Sequence, residues 1–329
     1  MGGQQTIRAS RSMRGGAAKW VLGSLGAVAL VLTVGLASAW APDKPVAELL
    51  GKYAPPPSQM VAVDGMTVHV RDEGPRDDPQ PIVLLHGTSA SLHTWDGWTQ
   101  ALRDQRRVIR FDLPAFGLTG PSPDHRYTTE RYVQFVKAMY DHFGLQHSVL
   151  AGNSLGGAIA WESALAMPGR VDKLILVDAA GYPMSPKSVP IGFKIAQVEA
   201  LAPLMRHLLP RGMVESSVRN VYGNPDKVTP ELVDRYYDLS LREGNRAALG
   251  ERFRQTVWGA HADQIKQIRV PTLIVWGDQD RLIPPEHAQQ FQRDIPGSQL
   301  VMFPGLGHVP HEEDAAQTVA AVKSFLAQH

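Results

Sequence analysis

A serine framed by glycines, Gly152-Asn153-Ser154-Leu155-Gly156, follows the apolar run Ser148-Val149-Leu150-Ala151 and precedes the small-residue stretch Gly157-Ala158-Ile159-Ala160-Trp161. The order is strand, turn, helix, with the serine at the apex. A G-x-S-x-G sequence in this setting predicts a nucleophile elbow, a turn so tight that Gly152 and Gly156 must flank the serine and its Oγ is pushed clear of the sheet. The expected chemistry is serine-dependent hydrolysis.

A serine hydroxyl is a weak nucleophile at neutral pH and needs a base. This elbow usually goes with the chain order serine, acid, histidine. His308, in Gly305-Leu306-Gly307-His308 directly after an apolar run ending at Phe303, is placed to be that base; His311, three residues on, reads instead as a helix-start or surface histidine. The acid should follow the preceding strand. Of the two carboxylates in Gly277-Asp278-Gln279-Asp280, Asp278 sits in the tight turn, where bonding to its own backbone is its commonest job. Asp280 can lean toward the next loop and is the expected acid, with Asp178 as a further candidate. Acyl transfer also needs two donors for the developing oxyanion. The N–H of Leu155 is one, and the loop His86-Gly87-Thr88-Ser89 should supply the other, from Thr88 or, failing that, Ser89. Gly87 permits close approach, and His86 reads as a brace for this loop.

Elements that could position these groups follow from apolar patterning. Met60–Val63 and Met66–Arg71 alternate around Asp64-Gly65, a dipeptide favoured in two-residue hairpin turns. Beyond Arg71, strands alternate with helices: strands at Pro81–His86, Val108–Phe111, the elbow strand, Lys173–Val177, Thr272–Trp276 and Gln299–Phe303, and helices at Tyr127–Phe143, after the elbow, and at Ala315–Leu326. This predicts an α/β fold with a doubly wound, mainly parallel eight-stranded sheet. The interval 183–263 has no convincing strand and several helical patterns, so it reads as a cap inserted between late strands, with the core at 59–182 and 264–329. Within it Val198, Leu201, Leu204, Met205, Leu208 and Leu209 form a stripe at helical spacing, read mainly as core and in part as a substrate-facing surface.

Taken with His86-Gly87, Asp112-Leu113-Pro114-Ala115-Phe116-Gly117, Gly277-Asp278-Gln279-Asp280 and Gly307-His308, the extended elbow Gly152–Gly157 resembles the α/β-hydrolase superfamily in order and spacing, over about residues 59–329. The Asp112 element carries Ala115 where the family commonly has glycine, and reads as a structural turn. A serine at the elbow argues against the dehalogenase and epoxide hydrolase branches, which use a carboxylate. The Gly-Asn-Ser-x-Gly-Gly elbow and the helical cap are similar to carbon–carbon bond hydrolases of ring-fission products, but those usually carry an aromatic residue after the histidine. Here Val309 follows, and the tail Pro310-His311-Glu312-Glu313 is closer to carboxylesterases and lipases. The resemblance implies a carboxylic ester hydrolase acting on a small-molecule or lipid ester. An inactive, membrane-tethered binding protein on the same fold is the distant alternative.

Composition narrows partners and place. There is no cysteine, which removes disulfides, thiolate metal sites and a cysteine nucleophile. The cluster His308, His311, Glu312, Glu313, Asp314 lacks the spacing of a metal site, and the chemistry needs no metal or organic cofactor. The net charge of +1 hides an asymmetry: residues 1–40 hold Arg8, Arg11, Arg14 and Lys19 and no acid, while the rest carries 29 basic and 32 acidic groups, interspersed. Nucleic-acid binding is therefore not expected. Trp20–Trp40 runs 21 residues without a charge, about 31 Å as a helix, enough for a bilayer core. The reading is an anchor with the catalytic body outside the cytoplasm, or a signal segment cleaved near Ala37-Ser38-Ala39 and a secreted product. The proline-rich stretch 41–58 reads as a stand-off linker with one short helix-like stretch, Val46–Tyr53, inside it.

Overall fold

The computed structural model describes residues 37–328 apart from 184, 185, 202, 204 and 205, together with the isolated positions 24, 33 and 35. Most of the expected anchor over 20–40 lies outside the described residues. Among those described, no helix is long and apolar enough to cross a membrane.

Eight strands, β1 (Gln59–Val63), β2 (Met66–Glu73), β3 (Ile82–Leu85), β4 (Val108–Phe111), β5 (Val149–Asn153), β6 (Lys173–Val177), β7 (Thr272–Gly277) and β8 (Gln299–Phe303), form one sheet in the order β1-β2-β4-β3-β5-β6-β7-β8. The first two pairings, β1 with β2 and β2 with β4, are antiparallel and the rest are parallel. Asp64 and Gly65 turn the first hairpin at φ 54° and 74°, both positive as a turn matching strand twist requires. The helices are α1 (Val46–Tyr53), α2 (Asp96–Leu102), α3 (Thr129–Phe143), α4 (Leu155–Ala166), α5 (Ile191–Ala196), α6 (Arg211–Val221), α7 (Pro230–Ser240), α8 (Asn245–Gln255), α9 (Glu286–Asp294), α10 (Pro310–Glu313) and α11 (Ala315–Gln328).

The parallel strands read as unbroken apolar runs because both faces of the sheet are covered. Val83, Leu85, Leu150, Leu174, Leu176, Ile274 and Trp276 point to the layer holding Phe135, Ile159, Trp161 and Phe291 of α3, α4 and α9. Their neighbours Ile82, Leu84, Val149, Ile175, Val177, Leu273 and Val275 point to the other, with Trp98 of α2 and Val322 and Phe325 of α11. All six parallel-type strands thus end their carboxyl edges on one side, where loops from β3, β5, β6, β7 and β8 converge. Between β6 and β7 the chain leaves the sheet and builds α5–α8, a helical layer with its own small core of Val218, Tyr222, Val228 and Val233 packed on Val309.

Two expectations need correction. The stretch 41–58 is not a free spacer: Leu49 and Tyr53 of α1 are buried against Leu118 and Leu239, and Lys44, Lys52 and the Tyr53 hydroxyl all bond the Asp238 carboxylate of α7. The prolines bound a short amphipathic helix, and its apolar face is enough to dock the segment. The apolar stripe of the cap is not continuous core either. Helix α5 ends at Ala196, so the helical register is broken; Val198 and Leu201 are exposed, whereas Leu208 and Leu209 are buried. Leu204 and Met205 lie outside the described residues.

Candidate active site

Ser154 stands between β5 and α4 with φ 55° and ψ −116°, a backbone region that costs an L-residue about 1–3 kcal/mol and marks over-determined sites. Its N–H donates to Val177 O (3.1 Å) and its carbonyl accepts from Ala180 N (3.0 Å) and Ala158 N (3.1 Å), so β6 and the helix hold the strained residue from both sides. The flanking glycines are steric necessities. A Cβ on Gly152 would lie 2.1 Å from Gly156 O, and one on Gly156 would lie 2.3 Å from Leu85 O. Both obstructions are backbone, which cannot rotate away. Gly156→Ala is therefore expected to lower stability by about 3 kcal/mol and to reduce the yield of folded protein, read as a fall in the midpoint of thermal unfolding.

His308 lies on the loop after β8, and Asp280 on the loop after β7. Their side chains meet: His308 Nδ1 is 2.7 Å from Asp280 Oδ2, with both groups almost fully buried. The other oxygen, Oδ1, accepts from the N–H groups of Leu282 (2.8 Å) and Ile283 (2.9 Å), which fixes the carboxylate plane. Asp278 does not reach the histidine; its Oδ1 accepts from Gly305 N at 2.7 Å and ties the two loops together. Asp178, at the end of β6, does lie beside the pair, and one ligand atom each of Asp178, Asp280 and His308 fall within 4.8 Å of one another.

The loop after β3 covers the nucleophile. A Cβ on Gly87 would be 3.2 Å from Ser154 Cβ and 2.9 Å from Asn153 Oδ1, so only glycine lets this loop close. His86 is fully buried; its Nε2 accepts from Leu113 N (2.9 Å), which leaves the proton on Nδ1 to donate to Gly87 O (2.8 Å). Burial holds this imidazole below its ordinary pKa. It is a neutral strut between the β3 and β4 loops. Thr88 and Ser89 follow at partly exposed positions, with Ser89 at φ 58°, while Leu155 opens α4, where the first N–H groups have no intrahelical partner.

Several residues that matter here carry no recognisable sequence signal. The Asn153 amide donates both to Val177 O (3.1 Å) and to His308 O (3.0 Å), linking the elbow to the histidine loop. Glu313 accepts from Gly307 N (2.8 Å), Gly223 N (2.9 Å) and Asn224 N (2.8 Å), and His308 N itself donates to Val221 O (2.7 Å) of the cap. Glu312 pairs with Arg235 and the Tyr236 hydroxyl of α7. The acidic tail weighed and set aside as a metal cluster is thus a set of clamps between core and cap. His311, read as a helix-start or surface histidine, does stand in the first turn of α10 but is fully buried; its ring lies against Trp95 with centroids 4.0 Å apart and planes tilted by 33°, and among the described residues neither ring nitrogen has a hydrogen-bond partner. Its burial, with the neighbouring His308 and His86, pushes its pKa well down.

Above the site the cap encloses a cavity of about 160 Å³ that reaches Ser89 and is walled by Phe193, Ile195, Leu209, Met213, Val218 and Leu249. A second cavity of about 210 Å³, bordered by Leu155, Trp161, Ala180 and Trp258, lies beside α4.

A strained serine at a strand-to-helix turn, a histidine bonded to a carboxylate on the next two loops and a helical cap define a hydrolase site on a doubly wound sheet. The chain belongs to the alpha/beta hydrolase fold family, whose model matches residues 80–315. It is 30% identical over 286 residues to 2-hydroxy-6-oxo-2,4-heptadienoate hydrolase of Pseudomonas putida, covering 82% of this chain and 96% of that one. Among solved structures, it resembles a thermophilic esterase from Thermogutta terrifontis (27% identity, TM-score 0.66, 82% of this chain and 97% of that one). It also resembles a membrane phospholipase A (23% identity, TM-score 0.70, 97% of this chain and 98% of that one).

Proposed function

We propose that the chain is a serine hydrolase of carboxylic esters with an apolar acyl group, including lipid esters. The cap cavity that reaches Ser89, on the loop after β3, is the observation that carries the reading: Phe193, Ile195, Leu209, Met213, Val218 and Leu249 give an acyl chain a largely apolar wall, with Arg206, Arg246 and Arg254 also in the lining. In this mechanism His308 Nε2 takes the Ser154 proton as Oγ attacks the ester carbonyl, and Asp280 keeps the proton of Nδ1 in place and balances the imidazolium. The N–H groups of Leu155 and Thr88 receive the oxyanion. Collapse expels the alcohol, which takes its proton from His308; water then attacks the acyl-enzyme with His308 again as base and releases the carboxylic acid. The uncharged segment 20–40 with its basic flank supports a tether to a membrane with the catalytic body outside the cytoplasm. The exposed Trp40 that ends it, stacked on His207 of the cap, supports placing the cap near that surface.

A second reading, carbon–carbon bond hydrolysis of a ring-fission dienone, is favoured by the 30% identity to the heptadienoate hydrolase. One experiment separates them. The protein is incubated with a fluorophosphonate probe and assayed on p-nitrophenyl esters of increasing chain length and on one ring-fission dienone. Labelling at Ser154, ester turnover with an optimum at medium or long acyl chains, and loss of at least about 10³-fold in Ser154→Ala are expected. A kcat/KM that is higher for the dienone than for every ester would replace the ester reading by the second one.

A further inference from the structure

Asp178 is a carboxylate that the mechanism above does not use, and its surroundings are unusual. It ends β6 with φ 44°, is fully buried, and has one satisfied oxygen, Oδ1, which accepts from Gly277 N at 3.1 Å. Oδ2 is buried, and among the described residues nothing donates to it. Within 4.8 Å stand the Asp280 carboxylate and His308. Two anionic carboxylates this close and this deeply buried would repel each other strongly, and desolvation penalises each charge separately. A proton on one of them removes the repulsion and turns the orphan oxygen into a donor.

We propose that Asp178 is the neutral carboxylic acid of a one-proton carboxyl pair, donating a hydrogen bond through Oδ2 to Asp280 and so positioning the acid that holds His308. The proton belongs on Asp178, because Asp280 already accepts two backbone N–H groups and faces the histidine N–H, all of which favour its charged form. Burial first, then the neighbouring Asp280 and the more distant Glu313, push Asp178 well above the ordinary carboxyl range, against the pull of the Gly277 N–H. The groups facing it are therefore Asp280, His308 and Glu313. The pair carries one negative charge, which a single imidazolium can balance when the serine proton moves. A positive φ also suits Asp or Asn better than other L-residues.

The inference rests on the triad reading, and the test keeps the two apart. Asp178→Asn retains a donor, the volume and the backbone preference; Asp178→Leu retains only the volume. The pH profile of kcat/KM on a p-nitrophenyl ester and the rate of phosphonate labelling are measured for both and for wild type. Leu should cost about tenfold or more in kcat and move the acid limb to higher pH, because an Asp280 relieved of one donor holds the imidazolium more tightly. Asn should restore the limb and most of the rate. In unfolding experiments, Asp178→Asn should gain on wild type by about tenfold in the folding equilibrium constant between pH 4.5 and 5.5, since the wild-type native state alone must retain a proton that the unfolded chain releases. An acid limb that falls in Asp178→Asn would show an anionic Asp178 and overturn the proposal, as would a limb unmoved in Asp178→Leu. A wild-type protein that resists phosphonate labelling while folded would sink the serine-hydrolase reading instead, and the unfolding comparison would still decide the proton.

Discussion

Replacing Asp280 by asparagine should lower kcat/KM by about 10⁴-fold, with little loss of fold. The reason lies in what each oxygen does. Oδ1 accepts from Leu282 and Ile283 N–H, so an asparagine must keep its carbonyl there and present its NH₂ toward His308. Two donors cannot face each other, and Nδ1 at 2.7 Å would have to become the acceptor. The ring proton then moves to Nε2, the atom that has to take the proton of Ser154. The base is present but in the wrong tautomer. A pH profile of ester hydrolysis for Asp280→Asn, with thermal unfolding in parallel, checks this; an activity loss of less than tenfold in a folded variant would remove Asp280 from the role assigned to it.

The second large effect is acid lability. His93 is buried and bonded in its neutral form, with Ser91 Oγ at Nδ1 and Tyr53 O at Nε2. Burial above all, helped by Arg235 and Arg71 and opposed by Asp112 and Asp96, brings its pKa down to about 3. The sign follows directly. A histidine depressed in the native state is neutral there while the unfolded chain protonates near pH 6.5, so its contribution is complete above that pH and is lost as pH falls toward the native pKa. For His93 that loss is about 3 kcal/mol by pH 4.5 and about 4 kcal/mol by pH 3. His311, His86 and His287 are shifted in the same direction by burial and add to it. Against a typical total of about 5–15 kcal/mol, this should bring cooperative unfolding between pH 4 and 5. Denaturant melts from pH 8 to 4 test it, and His311→Phe should move the acid midpoint downward. That ring fills the same slot against Trp95 and has no nitrogen to protonate.

What could be read from the chain, and what could not, divides along physical lines. Strands buried on both faces announce themselves as apolar runs, and the hairpin as Asp64-Gly65, because burial and backbone sign act locally. The turn at Ser154 and the meeting of Asp280 with His308 were legible through order along the chain, since converging loops on a doubly wound sheet must follow successive strands. The roles of Asn153 and Glu313 depend on bonds across 155 and about 90 residues, which no local pattern encodes. Likewise, nothing near Asp178 says that a second carboxylate will be folded against it. The burial of His311 escaped the sequence for a related reason. A histidine followed by two glutamates looks solvent-facing until Trp95 and Trp98, some 215 residues earlier, are found covering it.

The clamps at the histidine loop bear on traffic through the site. Val221 O receives the N–H of His308, and Glu313 grips Gly307, Gly223 and Asn224 together, so the hinge side of the cap and the base share one piece of backbone scaffolding. A displacement of the cap at Val221–Asn224 would break these bonds, so the base of the proposed mechanism would lose a backbone anchor in the same motion. That coupling would favour proton transfer with the cap closed over the site.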